Sequence, residues 1–246
     1  MKKLTRDIIE WIKNLFTTTG GKTAVIGISG GKDSTVCAKL LCEALGPENV
    51  IGVMMPNGVQ ADIADSIKVC ELLGIKAFNI NIGETYSALR INVWQVAGKD
   101  PGDVSTFATN TPARIRMATL YGVAALYPGA RVCNTCNRSE DYIGYSTKFG
   151  DSAGDFSPLS NLTVREVLEV GDDLGLPYEL VHKTPSDGMC GKSDEDNLGF
   201  TYAELDAYLL EGTMPEHLEK IERLHKMNLH KLLPMPAFKK VENGDG

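Results

Sequence analysis

The sequence predicts an α/β domain, a doubly wound parallel sheet of about five strands flanked by helices. Three observations carry this. Short unbroken apolar runs, Thr23 to Ile28 and Val50 to Pro56, read as strands buried on both faces. Segments with apolar residues at helical spacing lie between them. Strand and helix then alternate regularly, which gives parallel strands joined by right-handed crossovers. With 246 residues the chain can bury one sizeable core. No repeat, low-complexity tract or linker divides it, so 1–246 is read as one domain with 239–246 as a disordered tail.

Taken in order, Leu4, Ile8, Ile9, Ile12, Leu15 and Phe16 mark one face of an opening helix that ends near Gly20-Gly21. The first strand, to Ile28, meets a glycine turn and then the helical run Thr35 to Leu41. Val50 to Pro56 is the second strand. Val59, Ile63, Ile67, Cys70 and Leu73 line a helix closed by Gly74, and Lys76 to Ile82 is the third strand. Glu84 to Ala97 reads as a helix, and 98–109, with Pro101-Gly102-Asp103, as a loop. A long helix runs from Asn110, its expected N-cap, through Pro112 in the first turn, to Leu126. Ala130 to Asn134 is the fourth strand, Thr163 to Leu174 a helix, and Tyr178 to His182 the expected fifth strand. The turn-rich, aperiodic stretch 184–196 is a candidate lid. Helices over about 201–210 and 215–232 close the chain.

Charge and cysteine content narrow the function. A net charge of −7 argues against a general nucleic-acid binder, which needs a basic face. No signal peptide or membrane span is visible. Six cysteines scattered over so large a chain suit a reduced, cytoplasmic protein better than a disulfide framework.

The chemistry centres on Gly27-Ile28-Ser29-Gly30-Gly31-Lys32-Asp33-Ser34. A strand, a tight glycine turn and a helix start make an anion site, with two hydroxyls added by the serines. The Walker spacing is absent. The run matches S-G-G-x-D-S and so resembles the pyrophosphate loop of the ATP pyrophosphatase families, which split ATP between its α and β phosphates. Four further clusters fall at predicted strand ends or just beyond, where open α/β sheets bind ligands. They are Asn110-x-x-Ala113-Arg114-Ile115-Arg116-Met117; Thr135 to Glu140; Gly144 to Asp151 running on to Asp155; and Pro185-Ser186-Asp187-Gly188 with Asp194-Glu195-Asp196 and Leu198 to Tyr202. His230-Lys231 follows near the end.

In this order these motifs resemble the ammonia-dependent NAD synthetase family over nearly the whole chain. The resemblance implies an adenine nucleotide alpha hydrolase-like fold. It also implies ATP-dependent amidation of deamido-NAD (nicotinic acid adenine dinucleotide) to NAD, with release of AMP and diphosphate. A carboxylate is a poor electrophile; transfer of AMP to it supplies the leaving group that ammonia displaces. Carried across, ATP falls on Gly27 to Ser34, Thr135 and Ser186. Mg²⁺ falls on Asp33 and Glu140, hard oxygen ligands for a hard ion. Deamido-NAD falls on Arg114, Lys148, Asp155, His230 and Lys231. Asp33, Lys148 and Asp151 form the catalytic set, with Asp151 positioning ammonium and helping to take its proton. The family works as a homodimer with deamido-NAD across the interface. Glutamine-dependent members carry a glutaminase domain, and without one the expected donor is free ammonia or ammonia from a partner. The sequence departs from the family at Val164, where a lysine that contacts ATP is usual; Lys32, Arg165 or Lys192 is the candidate replacement.

Other readings bear on the same residues. Cys133-x-x-Cys136 lacks a second ligand pair and reads as buried filling rather than a metal or redox site. Arg114 and Arg116, two apart on a helix, point to different sides, so at most one faces a ligand. The acidic run 194–196 is either a helix start or part of the site. His182, His217 and His225 read as structural. An RNA-thiolating enzyme with the same loop is the rival from another class, disfavoured by the acidic balance; a non-catalytic nucleotide-binding module is the second.

Overall fold

The computed structural model describes residues 1–182 and 194–238. An amphipathic helix α1 (Lys3–Thr19) stops at Gly20, whose left-handed φ of 67° closes the C-terminus. There follow β1 (Thr23–Gly27), α2 (Lys32–Leu45), β2 (Val50–Met54), α3 (Ile63–Leu73), β3 (Lys76–Asn79), α4 (Gly83–Ala97), α5 (Ser105–Ala124) and β4 (Ala130–Cys133). The four strands are parallel in the order β3-β2-β1-β4, with Val25 opposite both Ile51 and Val132. The chain winds outward from β1 to β3 and then crosses back to the other side of β1. Loops leaving β1 and β4 therefore part at a switch point, where this architecture binds ligands.

Period-two alternation decides the layers. Ala24, Ile26, Val50 and Met54 face one core with α1, α2 and α3, α7 (Val164–Asp173) and α8 (Tyr178–Val181). Val25, Ile51, Val53 and Val132 face a second core covered by α5. A third apolar cluster, built on Ile143, Phe200, Leu205 and Ile221, joins α6 (Arg138–Ile143), α10 (Tyr202–Glu211) and α11 (Leu218–Asn228). A 3-10 turn (Leu229–Lys231) then brings the chain back beside the loop that follows α6.

Two expectations are corrected. Tyr178 to His182 is not a strand: Tyr178–Val181 forms the single helical turn α8, burying Leu180 and Val181 in the first core. What lies beside β4 is the segment at 155–156. The Asp155 N–H donates to Val132 O (2.8 Å) and the Asn134 N–H to Phe156 O (2.8 Å), an isolated parallel bridge. The long helix starts at Ser105, not Asn110, so Pro112 lies inside it. Asn110 accepts instead from the Thr147 hydroxyl (3.2 Å).

Candidate active site

The turn after β1 is held by its own hydroxyls. Ser29 and Ser34 lie Oγ to Oγ at 3.1 Å, the Gly31 N–H donates to Ser29 Oγ (3.2 Å), and Ser34 Oγ donates to Gly31 O (3.1 Å). Gly30 is required twice over. Its φ is +79°, and a Cβ there would lie 3.0 Å from the Ser66 backbone nitrogen of α3. Gly31 caps α2 without a side chain, so the opening amides of that helix face outward from the turn.

Across the switch point, Asn137 caps α6, its Oδ1 accepting from the Glu140 N–H at 3.0 Å. The same side chain, fully buried, donates Nδ2 to Asp33 Oδ1 at 3.0 Å. One amide thus ties the first residues of α2 to the first residues of α6. Between them lies Lys32, its side chain only 7% exposed, with Nζ 2.9 Å from Asp33 Oδ2 and 3.9 Å from Glu140 Oε1. Two carboxylates from separate elements converge on one cationic position. That donor set, all oxygen and charged, fits a hard divalent ion whose other ligands are phosphate oxygens and water. Among the described residues no group of three or more acids, histidines or cysteines could hold a metal alone. Thr135 sits half-buried in the turn between β4 and α6.

A second group gathers beside the first. Arg114 Nε donates to Lys148 O (3.2 Å), and Lys148 Nζ donates to His230 O (2.5 Å). Lys231 Nζ donates to Gly144 O (2.7 Å) and Ser146 O (2.9 Å). Side chains far apart in sequence are so drawn around the 144–151 loop. Asp151 accepts from the Thr147 N–H (2.8 Å) and its charge reaches Arg116, Lys231 and Asp141. Burial lowers the pKa of Arg116 and Lys231, with Asp151 opposing the shift. Burial, with Asp151 nearby, raises Asp141 to about 6. Arg114 and Arg116 do diverge, Arg116 Nε donating to Met55 O (3.0 Å). Asp155 stands apart from this group: its oxygens accept from the Val132 N–H (2.7 Å) and the Tyr121 hydroxyl (3.1 Å). An open cleft of about 800 Å³, lined by Asn57, Asn81, Glu84 and Tyr86, lies at the same sheet edge by β2 and β3 rather than over the glycine turn.

Ser186, Lys192 and most of the 184–196 stretch lie outside the described residues, as does 239–246. Of the cations weighed against Val164, Arg165 turns to Glu211 (2.7 Å) and Lys32 sits at the centre of the site. Val164 itself packs against the third cluster. Cys133 and Cys136 are buried free thiols, as filling requires, and burial drives the Cys136 pKa well up. The run at 194–196 does open a helix, α9 (Asp194–Leu198), and Glu195 accepts from the Tyr202 N–H at 2.8 Å. His182, His217 and His225 are engaged by Asp172, Glu204 and Tyr142 O. Asn137 is the residue that sequence reasoning left without a role. Its signal was available: an Asn at the start of a short segment closed by Gly144.

A parallel sheet with a glycine turn opening a helix at its switch point, and two acids beside it, fits an ATP-using enzyme of the adenylating α/β class. Comparison with known proteins narrows this. The model of the NAD synthase family matches residues 4–243. An NH3-dependent NAD synthetase of Finegoldia magna is 37% identical over 93% of this chain and 92% of its own length. Among solved structures, an NMN synthetase from Francisella tularensis superposes with a TM-score of 0.84 at 33% identity, covering 96% of this chain and 98% of that one. An NH3-dependent NAD synthetase from Campylobacter jejuni gives 0.76 at 27%, covering 98% and 100%. The chain belongs to the NAD synthase family.

Proposed function

We propose that the chain joins ammonia to the nicotinate carboxylate of deamido-NAD at the expense of ATP, giving NAD, AMP and diphosphate. The observation that carries this is the convergence of Asp33 and Glu140, beside the glycine turn, on a single cation position. The turn from Gly27 to Ser34, with Thr135 and Ser186, takes the nucleotide. Asp33 and Glu140 hold Mg²⁺, which when bound neutralises phosphate charge and favours departure of diphosphate. Arg114, Lys148 and Lys231 give a cationic wall for the anionic dinucleotide, with His230 beside them and the exposed Asp155 as a further contact. The acceptor carboxylate attacks the α-phosphorus and diphosphate leaves. Ammonia then attacks the acyl carbon and AMP leaves with the carboxylate oxygen. Asp151, whose charge already reaches Lys231 and Arg116, holds the ammonium and accepts its proton.

The active form is a homodimer. In support, α4 buries none of its residues and leaves Ile91 and Trp94 about half exposed. No described helix is long and apolar enough to cross a membrane; the free thiols of Cys37, Cys42, Cys70, Cys133 and Cys136 support a reducing, cytoplasmic setting for the reaction. Purified protein given ATP, Mg²⁺, ammonium and deamido-NAD should yield NAD and AMP in equal amounts; AMP release without NAD would overturn the reading.

A second acceptor has one observation behind it. The Francisella structure that superposes with a TM-score of 0.84 is an NMN synthetase, which points to nicotinic acid mononucleotide. The ratio of kcat/KM for the two acceptors decides, since about tenfold corresponds to only 1.4 kcal/mol of discrimination. A ratio in favour of the dinucleotide supports the first reading, and the reverse supports the second.

A further inference from the structure

We propose that Lys32 is a built-in counterion that trades places with the divalent cation. In the nucleotide-free chain its ammonium bridges Asp33 and Glu140; when metal and nucleotide enter together it leaves them for the phosphates. The inference rests on the reading of Asp33 and Glu140 as the metal pair and adds an order of events to it.

The geometry separates what is fixed from what can move. Asp33 is held by Asn137 Nδ2 at 3.0 Å, and Glu140 is placed by the α6 cap that the same Asn137 forms. The Asp33 carboxylate is therefore aimed independently of any cation, and the Glu140 backbone is fixed at the start of α6. Their side chains are only 18% and 17% exposed, and two such acids side by side repel unless a positive charge lies between them. Lys32 supplies it, and a buried lysine is rare unless paired in this way. Its ammonium is a compact charge on a flexible four-carbon stem, long enough to be re-aimed from the acids toward the adjoining turn.

A divalent ion held by the same two acids would come within a few ångströms of that ammonium. Binding of the ion alone is therefore opposed for as long as Lys32 stays. Lys32 is also the first residue of α2, directly after Gly31 in the turn, so phosphates seated there offer its ammonium a new partner. Neighbouring arginines do not substitute: Arg138 reaches toward Leu209 O and Arg165 pairs with Glu211. Metal and nucleotide consequently bind with positive coupling, and Lys32 carries it.

The test is a Mn²⁺ titration of the chelator-stripped full chain, with free Mn²⁺ read by electron paramagnetic resonance, with and without α,β-methylene-ATP. In the wild type the analogue should tighten Mn²⁺ binding about tenfold or more, within the usual range for coupled sites. Lys32→Gln, whose amide can still donate to Asp33, should bind Mn²⁺ alone about tenfold tighter than wild type and bind the analogue alone about tenfold more weakly. Lys32→Arg, which keeps the charge, should retain the coupling. Equal Mn²⁺ affinity of wild type and Lys32→Gln without nucleotide would overturn the proposal. So would loss of coupling in Lys32→Arg. If Asp33→Asn and Glu140→Gln bind Mn²⁺ with the analogue as tightly as wild type does, the metal reading itself fails, and the exchange with it. A measurement without variants of the metal pair is the ¹⁵Nζ signal of Lys32, assigned by its absence in Lys32→Arg. Mg²⁺ alone should leave it in place and Mg²⁺ with the analogue should shift it; a signal unmoved by both overturns the exchange.

Discussion

Asn137→Ala tests how much of the site depends on one buried amide. The substitution removes the N-cap of α6, worth about 1 kcal/mol, and a hydrogen bond to a carboxylate, worth about 1.5–3 kcal/mol. The summed loss is about 2.5–4 kcal/mol, and at about 2–4 °C per kcal/mol for a chain of this size the melting temperature should fall by about 5–15 °C. The share belonging to Asp33 also bears on chemistry, because a carboxylate free to rotate no longer presents the same oxygen to the metal. Loss of one charge-assisted bond predicts a fall of about 10- to 100-fold in kcat/KM for diphosphate release. Asn137→Ser separates the two effects: its hydroxyl can still cap α6 but is too short to reach Asp33, so it should melt nearer the wild type and still be slow. The assays are thermal unfolding and coupled diphosphate detection. An Asn137→Ala enzyme with wild-type kcat/KM, alongside a dead Asp33→Asn, would refute the claim that Asn137 aims Asp33.

Gly144→Ala should be severe, because a Cβ at that left-handed position would lie 2.0 Å from Asn228 Cβ; a loss of about 2–4 kcal/mol by denaturant unfolding is expected. Asp141 has a folded-state pKa near 6, above the unfolded value of about 3.9. Its contribution to stability is therefore greatest below pH 4 and is lost as pH rises through 6. In EDTA, Asp141→Asn should be the more stable protein by about 1–3 kcal/mol at pH 7.5, and that advantage should vanish by pH 4. Burial raises the pKa of Cys37, Cys136 and, to about 11, Cys42 and Cys70, so iodoacetamide at pH 8 should label none of them quickly until the fold is opened by denaturant, as followed by mass spectrometry.

Where the sequence was legible, a single period settled the matter. The apolar runs of β1 and β2 and the helical face of α1 leave little choice of element, whereas in α3 the helix was legible but its face was not: Val59 lies outside it, Ile67 is exposed, and Ser66, Val69 and Cys70 are buried. Tyr178 to His182 failed because a run of that length is ambiguous between strand and helix, and the burial of Leu180 and Val181 beside α2 decided it. Pro112 suggested a helix start, yet α5 begins at Ser105, its first turns touching α4 through the Phe107 and Tyr86 rings, and one carbonyl of the turn before Pro112 lacks its usual donor. The glycine turn, Asp33 and Glu140 could be named from motif order. Their mutual geometry could not, since Lys32 and Asn137 acquire their roles only when the loops after β1 and β4 meet across the switch point. Likewise nothing in the spacing of Arg114, Lys148 and His230 announces that each touches the next.

The central claim is that the acceptor carboxylate is adenylated on the turn after β1. Deamido-NAD labelled with ¹⁸O in its carboxylate, turned over with unlabelled ATP and ammonium, tests it most directly. One ¹⁸O should appear in each AMP and none in diphosphate. AMP free of label, or label in diphosphate, would contradict the account.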